Sequence, residues 1–276
     1  MPKTSSSDAT PVRSAQRMLG ILSWFNLEHP SGRIGDIAVD LGLAPSTVRR
    51  LVSTLEQHRY LALDESTGRY RLHVEVVRLA AVAVTTNDVV RAATPVLDLL
   101  MKELGETLIL NVLDGSLVVH LTVRQSAHQF SIYPPAGRRY NAYEGGASGM
   151  VLLAWLEESE LDELLPSEDR WRAYAGTKTF TREEFVANLA EVQRDGFAVN
   201  DGVTDPDLWS IATPIRDHTG RVVAALSSAC RRSSMTAARK KHFAKALVDA
   251  TNDISLRLCF DTTANSGTVG SGGRAS

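Results

Sequence analysis

The chain has 276 residues, 43% hydrophobic and 22% charged, with a formal charge of −2. That length suits one large domain or two ordinary ones, and the charge excludes a histone-like polycation and an acidic tail protein. The only two cysteines, Cys230 and Cys259, exclude a disulfide framework and a four-cysteine zinc site, and no apolar run approaches the ~18 residues of a membrane helix.

Met1–Pro11 is Ser/Thr-rich and lacks the apolar centre of a signal peptide, so a soluble, cytoplasmic protein is expected. Residues 1–12 and the Gly/Ser-rich tail, 261–276, are expected to be disordered, since neither can bury enough apolar surface to offset its ordering entropy. Residues 1–72 hold nine Lys/Arg and seven Asp/Glu, net +2, and the remainder is net −4. This asymmetry is weak, so the positions of the charges matter more than their sum.

Residues 13–72 predict three helices and a hairpin. Ser14 is the expected N-cap of the first helix, followed by Met18, Leu19, Ile21, Leu22 and Phe25 at helical spacing. His29–Gly32 breaks the chain. A short helix then covers Ile34, Ile37, Ala38 and Leu41, and Gly42 is its left-handed stop. Pro45 suits the first turn of a third helix reaching about Gln57. Tyr60–Leu63 and Arg69–Leu72 are short strands joined by a turn at Asp64–Gly68.

The third helix has two chemically different faces. At 100° steps from Ser46, Val48, Leu51, Val52 and Leu55 fall between about 140° and 240°. Ser46, Arg49, Arg50 and Ser53 fall within about 60° of zero, and Thr47 joins them at the helix start. Short hydroxyls allow close approach to phosphates, and an Arg fork can pair with phosphate or with the guanine O6/N7 edge. The turn Leu41–Ala44 is short enough for a helix-turn-helix. Arg69 and Arg71 fall on one side of the last strand by alternation, with Tyr70 and Leu72 on the other. The expected partner is double-stranded DNA, contacted by Ser46, Thr47, Arg49, Arg50, Ser53, Arg69 and Arg71.

Residues 73–104 predict helix, with a restart at Asn87-Asp88, and 73–87 is the expected linker helix. From Glu106 the pattern changes to strands. Thr107–Val112 and Leu117–Val123 flank the hairpin signal Asp114-Gly115, and His128–Tyr133 is a candidate third strand. Met150–Glu158 predicts a helix. Thr181-Arg182-Glu183-Glu184 is a capping box for another, closed by Gly196. Phe197–Asn200, Trp209–Arg216 and Val222–Ala229 are further strands, and Thr236–Leu258 a terminal helix. Helices beside an antiparallel sheet make residues 88–260 an α+β domain.

Four ordered stretches, beginning IGDIAVDLGLAPSTVRRLVSTLEQHRYL, TLILNVLDGSLVVHL, GRRYNAYEGGASGMVLLAWL and DGFAVNDGVTDPDLWSIATPI, resemble the IclR-type (isocitrate lyase regulator) bacterial transcription factors over about residues 13–260. The resemblance implies an N-terminal winged helix-turn-helix, a helical linker and a C-terminal GAF/PAS-like antiparallel sheet flanked by helices that binds a small effector. It also implies homodimers, often dimers of dimers. The family usually carries Gly where this chain has Arg59, and a polar helix-starting residue where it has Gly35.

The family's effector site draws on two stretches. The first contains Gly146, Ala147, Ser148 and Gly149; a Gly-rich run into a helix start presents free N–H groups that suit a carboxylate, although the same run also reads as a plain loop-to-helix turn. The second spans Asn200–Ser210. In glyoxylate-sensing members a polar residue matching Asn200 and a Cys matching Ser210 face the ligand. Here those positions carry an amide and a hydroxyl, with Asp201 as a candidate acid, Leu208 as a wall and Trp209 aimed away from Ser210. A small organic acid, aromatic ones included, is the expected effector.

No cofactor, metal site or membrane contact is expected, and no enzyme. Gly146-Ala147-Ser148-Gly149-Met150 lacks the final Gly of a nucleophile elbow, and the seven histidines show no metal-ligand spacing. The alternative is a small-molecule-binding enzyme or sensor whose N-terminal domain mediates protein contacts. The sequence does not choose the effector, the operator, or activation over repression.

Overall fold

The computed structural model describes residues 12–126, 135–173 and 178–264, with backbone alone for 259–264. Two compact units divide between Ala83 and Val84.

In the first unit, α1 (Arg13–Trp24), α2 (Ile34–Asp40) and α3 (Pro45–Gln57) pack around Ile21, Trp24, Ile37, Val48, Val52, Leu55 and Leu61. Ser14 is not the N-cap. Val12 takes that place, because its extended backbone already lets its carbonyl accept the Gln16 N–H at 3.0 Å. Gly42, at φ 61°, turns the chain between α2 and α3, and Leu43 N–H closes onto the Ala38 carbonyl at 2.9 Å. Pro45 occupies the first turn of α3, where its missing N–H costs little.

The wing has one strand more than the sequence predicts. β2 (Leu61–Asp64) and β3 (Arg69–Leu72) form the expected hairpin, and β1 (Ser31–Gly32) adds to the far edge of β3, in the order β1-β3-β2. Gly32 lies against the Trp24 ring, where a Cβ would fall 2.2 Å from a ring carbon. Glycine is therefore required for the strand to pass.

Beyond α4 (Val74–Thr85), α5 (Asp88–Leu104) opens the second unit, with the Asn87 side chain accepting the Val90 N–H at 3.1 Å. The sheet comprises β4 (Thr107–Asp114), β5 (Leu117–Arg124), β6 (Arg139–Asn141), β9 (Ala198–Asp201), β10 (Leu208–Arg216) and β11 (Val222–Arg231). Its order is β6-β5-β4-β11-β10-β9, with every neighbouring pair antiparallel. α5 and α9 (Ala237–Ala264) cover one face through Leu97, Leu100, Phe243 and Leu247, packed on Leu108, Leu110, Trp209 and Ile211. Each such burial is worth about 1.5–3 kcal/mol.

α6 (Ala147–Leu153) and α8 (Arg182–Asp195) belong to the core of the other face, where Val151 and Phe185 cluster with Val118, Ala212 and Ala225. Trp171 and Phe180, on the small hairpin β7 (Arg170–Arg172) and β8 (Thr179–Thr181), meet Phe185 edge-on at 5.5 and 5.6 Å. The capping box at Thr181 and Glu184 forms as expected and opens α8, and Gly196 ends it at φ 78°.

Three expectations need correction. The helix expected over Met150–Glu158 starts at Ala147, because the Gly146 carbonyl already accepts the Met150 N–H at 3.0 Å; it ends at Leu153, and α7 (Glu158–Leu164) follows. The terminal helix passes Leu258 and continues to Ala264, so residues 261–264 are helical; no Gly or Pro interrupts them. β6, β7 and β8 were not foreseen, since three residues are too short to show a period of two. The expected strand His128–Tyr133 and the rest of both expected disordered ends lie outside the described residues.

Candidate functional site

Ser46, Arg49, Arg50 and Ser53 are exposed along one side of α3 and Thr47 is half-buried, while Val48, Val52 and Leu55 are buried on the other. Neither guanidinium makes a hydrogen bond or ion pair with another described residue. The face is thus anchored from behind and open in front.

The two wing arginines differ. Arg71 is exposed, with no hydrogen bond or ion pair to a described residue. Arg69 is half-buried. Its Nε donates to the Ser31 hydroxyl at 3.0 Å, its Nη2 to the Ser31 carbonyl at 2.7 Å, and its Nη1 lies 3.9 Å from Asp36. The expectation of two equivalent cations therefore needs revision, because Arg69 spends its donors on the base of the wing.

In the second unit, the two effector stretches meet. Gly146, Ala147 and Ser148 share a cavity of about 230 Å³ with Asn200, Leu208 and Ser210. β9 and β10 pair Asn200 with Ser210, which sets both side chains on the cavity side of the sheet. Trp209 points the other way, under α9, edge-on to Phe243 at 5.8 Å.

Two expected residues do other work. Asp201 follows Asn200 on β9 and so turns to the opposite side. There it binds Lys240 and Arg232, each at 2.5 Å, which hold its carboxyl below the usual range. It does not supply the missing acid. Gly149 is absent from the cavity wall; a Cβ there would sit 2.2 Å from the Ala142 carbonyl oxygen, so it permits α6 to pack closely.

Asn200 lines the cavity, but its amide holds the following loop. Its oxygen accepts the N–H groups of Val203 at 2.9 Å and Thr204 at 3.3 Å, and its nitrogen contacts the Thr204 hydroxyl. An amide suits this turn better than a carboxylate, since only the amide can also donate.

Thr204, Asp205 and Ser227 also line the cavity, and the sequence reading missed His120, Arg138, Tyr140 and Glu144 on the same polar wall. They come from β5, β6 and the adjoining turns. His120 is 5% exposed, and burial, reinforced by the Arg138 charge, pulls its pKa down to about 4. Burial pushes the Tyr140 phenol up to about 12, with a hydrogen bond to Ser148 opposing that shift. Both are neutral at pH 7. Ile109, Leu208 and Ala229 supply apolar wall.

A helix-turn-helix with an open cationic face, joined to a second unit containing a small mixed cavity, is the plan of a ligand-responsive transcriptional regulator. Comparison with known proteins narrows the class. The IclR helix-turn-helix domain model matches residues 14–65, and that of the bacterial transcriptional regulator IclR C-terminal domain matches residues 81–256. The chain belongs to the IclR family. It is 30% identical over 239 residues to the HTH-type transcriptional regulator XynR of Escherichia coli, covering 87% of this chain and 94% of the relative. An IclR transcriptional regulator from Alicyclobacillus acidocaldarius superposes with a TM-score of 0.81 at 25% identity, covering 90% of this chain and 99% of that one. An IclR homologue from Microbacterium hydrocarbonoxydans, solved with 4-hydroxybenzoate, shares the fold at a TM-score of 0.74 and 23% identity, covering 89% of this chain and 98% of that one.

Proposed function

We propose that this regulator binds a palindromic operator as a homodimer and releases or remodels it on binding a small organic acid. The observation that carries the reading is the cavity of about 230 Å³, whose wall combines the cationic Arg138 with apolar Ile109 and Leu208. That is smaller than the roughly 300–1,000 Å³ of sites for drug-sized ligands, so a metabolite of a few heavy atoms or one aromatic ring suits it. The 4-hydroxybenzoate held by the Microbacterium homologue makes aromatic acids worth testing.

DNA contact is assigned to Ser46, Thr47, Arg49, Arg50, Ser53 and Arg71, with Arg69 holding the wing in place. Effector contact is assigned to Gly146, Ala147, Ser148, Leu208 and Ser210, with Asn200 shaping the loop beside them. The homodimer is supported by α4, which buries none of its side chains although Val74, Val77, Leu79 and Val82 are 43–67% exposed; a second copy would cover them. Two copies of α3 would then read the two halves of a palindrome. The acid acts only through its differential affinity for the two arrangements of those helices.

A gel shift of the full chain with DNA flanking its own gene tests this reading. Retardation at low salt that changes with an added acid supports it. No retardation at low salt, with or without acids, overturns it in favour of an N-terminal unit built for protein contacts.

A further inference from the structure

Two acceptor atoms in the effector cavity lack a donor among the described residues. Nδ1 of His120 and Oε2 of Glu144 are buried side-chain atoms without a hydrogen-bond partner there, and both residues line the cavity. The other half of each group is committed. Glu144 Oε1 accepts from the Asn141 amide at 2.9 Å. The His120 imidazole is neutral and hydrogen-bonds the Pro135 carbonyl; a carbonyl can only accept, so that ring nitrogen, Nε2, carries the proton. Nδ1 is left as a lone pair. A buried acceptor without a donor costs about 1–3 kcal/mol, so two beside one cavity mark it as built for something that donates.

The neighbouring polar groups do not meet that need. The Asn200 amide is taken up by Val203 and Thr204. The Ser227 hydroxyl accepts from Asn111 at 2.9 Å and lies 3.4 Å from the Ile109 carbonyl. Tyr140 hydrogen-bonds Ser148 and stands edge-on to the His120 ring at 5.8 Å.

Resting on the acid-sensing reading above, we infer that the effector is a hydroxy monocarboxylate, with Arg138 taking its carboxylate and His120 Nδ1 and Glu144 Oε2 accepting from its hydroxyl. The charges agree with a single carboxylate. Arg138 is the only cationic side chain on the described wall, while Glu144 and Asp205 are acidic, so a second ligand carboxylate would meet repulsion. A hydroxyl brings a donor at no charge cost. Both residues lie outside the helix-turn-helix unit, so their substitution is read in ligand choice.

Calorimetry on the full chain with matched acids tests the inference: benzoate against 3- and 4-hydroxybenzoate, and propionate against lactate. The expected result is that a hydroxylated member binds at least about tenfold more tightly than its parent, because the parent leaves both acceptors unpaired. His120→Phe and Glu144→Leu should each shrink that preference while the parent acid still binds. Should either variant fail to fold, the wild-type pairs alone decide. Equal affinity within every pair, or a preference unchanged in both folded variants, overturns the inference and leaves acid sensing intact. No binding by any of these acids overturns the inference together with the acid-sensing reading.

Discussion

The Arg69 guanidinium clasps Ser31 twice, at its hydroxyl and its carbonyl, across the strand pair that joins the wing to the start of α2. Arg71, two residues on, faces the same side of β3 and makes no hydrogen bond or ion pair with a described residue. Identical side chains on one strand therefore differ in what they stabilise.

Substituting them separates the roles. Arg69→Ala should lower unfolding stability by about 1 kcal/mol, a figure discounted from charged hydrogen bonds because the side chain is 40% exposed. Arg71→Ala should leave stability within about 0.5 kcal/mol and weaken binding to all DNA sequences alike, with a shallower salt dependence. Urea unfolding and binding titrations at two salt concentrations check both. Equal stability losses would remove the distinction.

Arg50→Ala should weaken operator binding by roughly 1–3 kcal/mol if the guanidinium reads a base edge, with little change in Tm because the side chain is exposed. Footprinting on operator and on unrelated DNA distinguishes base reading from a phosphate contact, which would lower both affinities equally.

How much of this was legible beforehand depended on the distance over which the signal acts. Gly42 and Pro45 bracket a short turn, and the apolar spacing of α3 lies within 13 residues, so the sequence predicts that helix to about Gln57, where it ends. The cavity is different. His120 and Arg138 meet only because β5 pairs with β6, and β6 is three residues long. No local pattern announces that pairing. Asp201 departs from the expectation for a simpler reason: the alternation that sends Trp209 away from Ser210 on β10 also sends Asp201 away from Asn200 on β9.

Arg59 closes α3 in a left-handed conformation, φ 62°, the one non-glycine with positive φ among the described residues. Its N–H bonds the Glu56 carbonyl at 2.9 Å and the Tyr60 N–H bonds that of Leu55 at 2.8 Å, the paired closure that usually favours glycine. Arg59→Gly should therefore stabilise the N-terminal unit, by up to about 1 kcal/mol after the extra chain entropy of glycine is counted. A lower unfolding midpoint in the variant would show that the arginine side chain contributes more than its backbone strain costs.

Ser148 is 6% exposed and lines the cavity beside Tyr140. A tryptophan there would occupy the ligand space and displace the Tyr140 hydrogen bond. Ser148→Trp should abolish the effector's influence on DNA binding while operator affinity without effector stays within about threefold, since the substitution lies in the other unit. Normal effector binding by the folded variant, measured calorimetrically, would move the site elsewhere.

The buried His120 also predicts how stability depends on pH. Its folded pKa is about 4, below the ordinary 6.5, so the unfolded chain binds the proton more readily. Above pH 6.5 both states are neutral and the group contributes nothing. As the pH falls from 6.5 towards 4, the unfolded state is favoured progressively, by an order of 3 kcal/mol at the lower limit. Arg138 sharpens the effect by opposing a second positive charge beside it. Replacing the imidazole with an untitratable ring, as in His120→Phe, removes this contribution. Urea unfolding at pH 7.5, 6 and 5 should show the wild type losing more stability than the variant at each step. Parallel losses would mean that the imidazole is reached by water and titrates as it does in the unfolded chain.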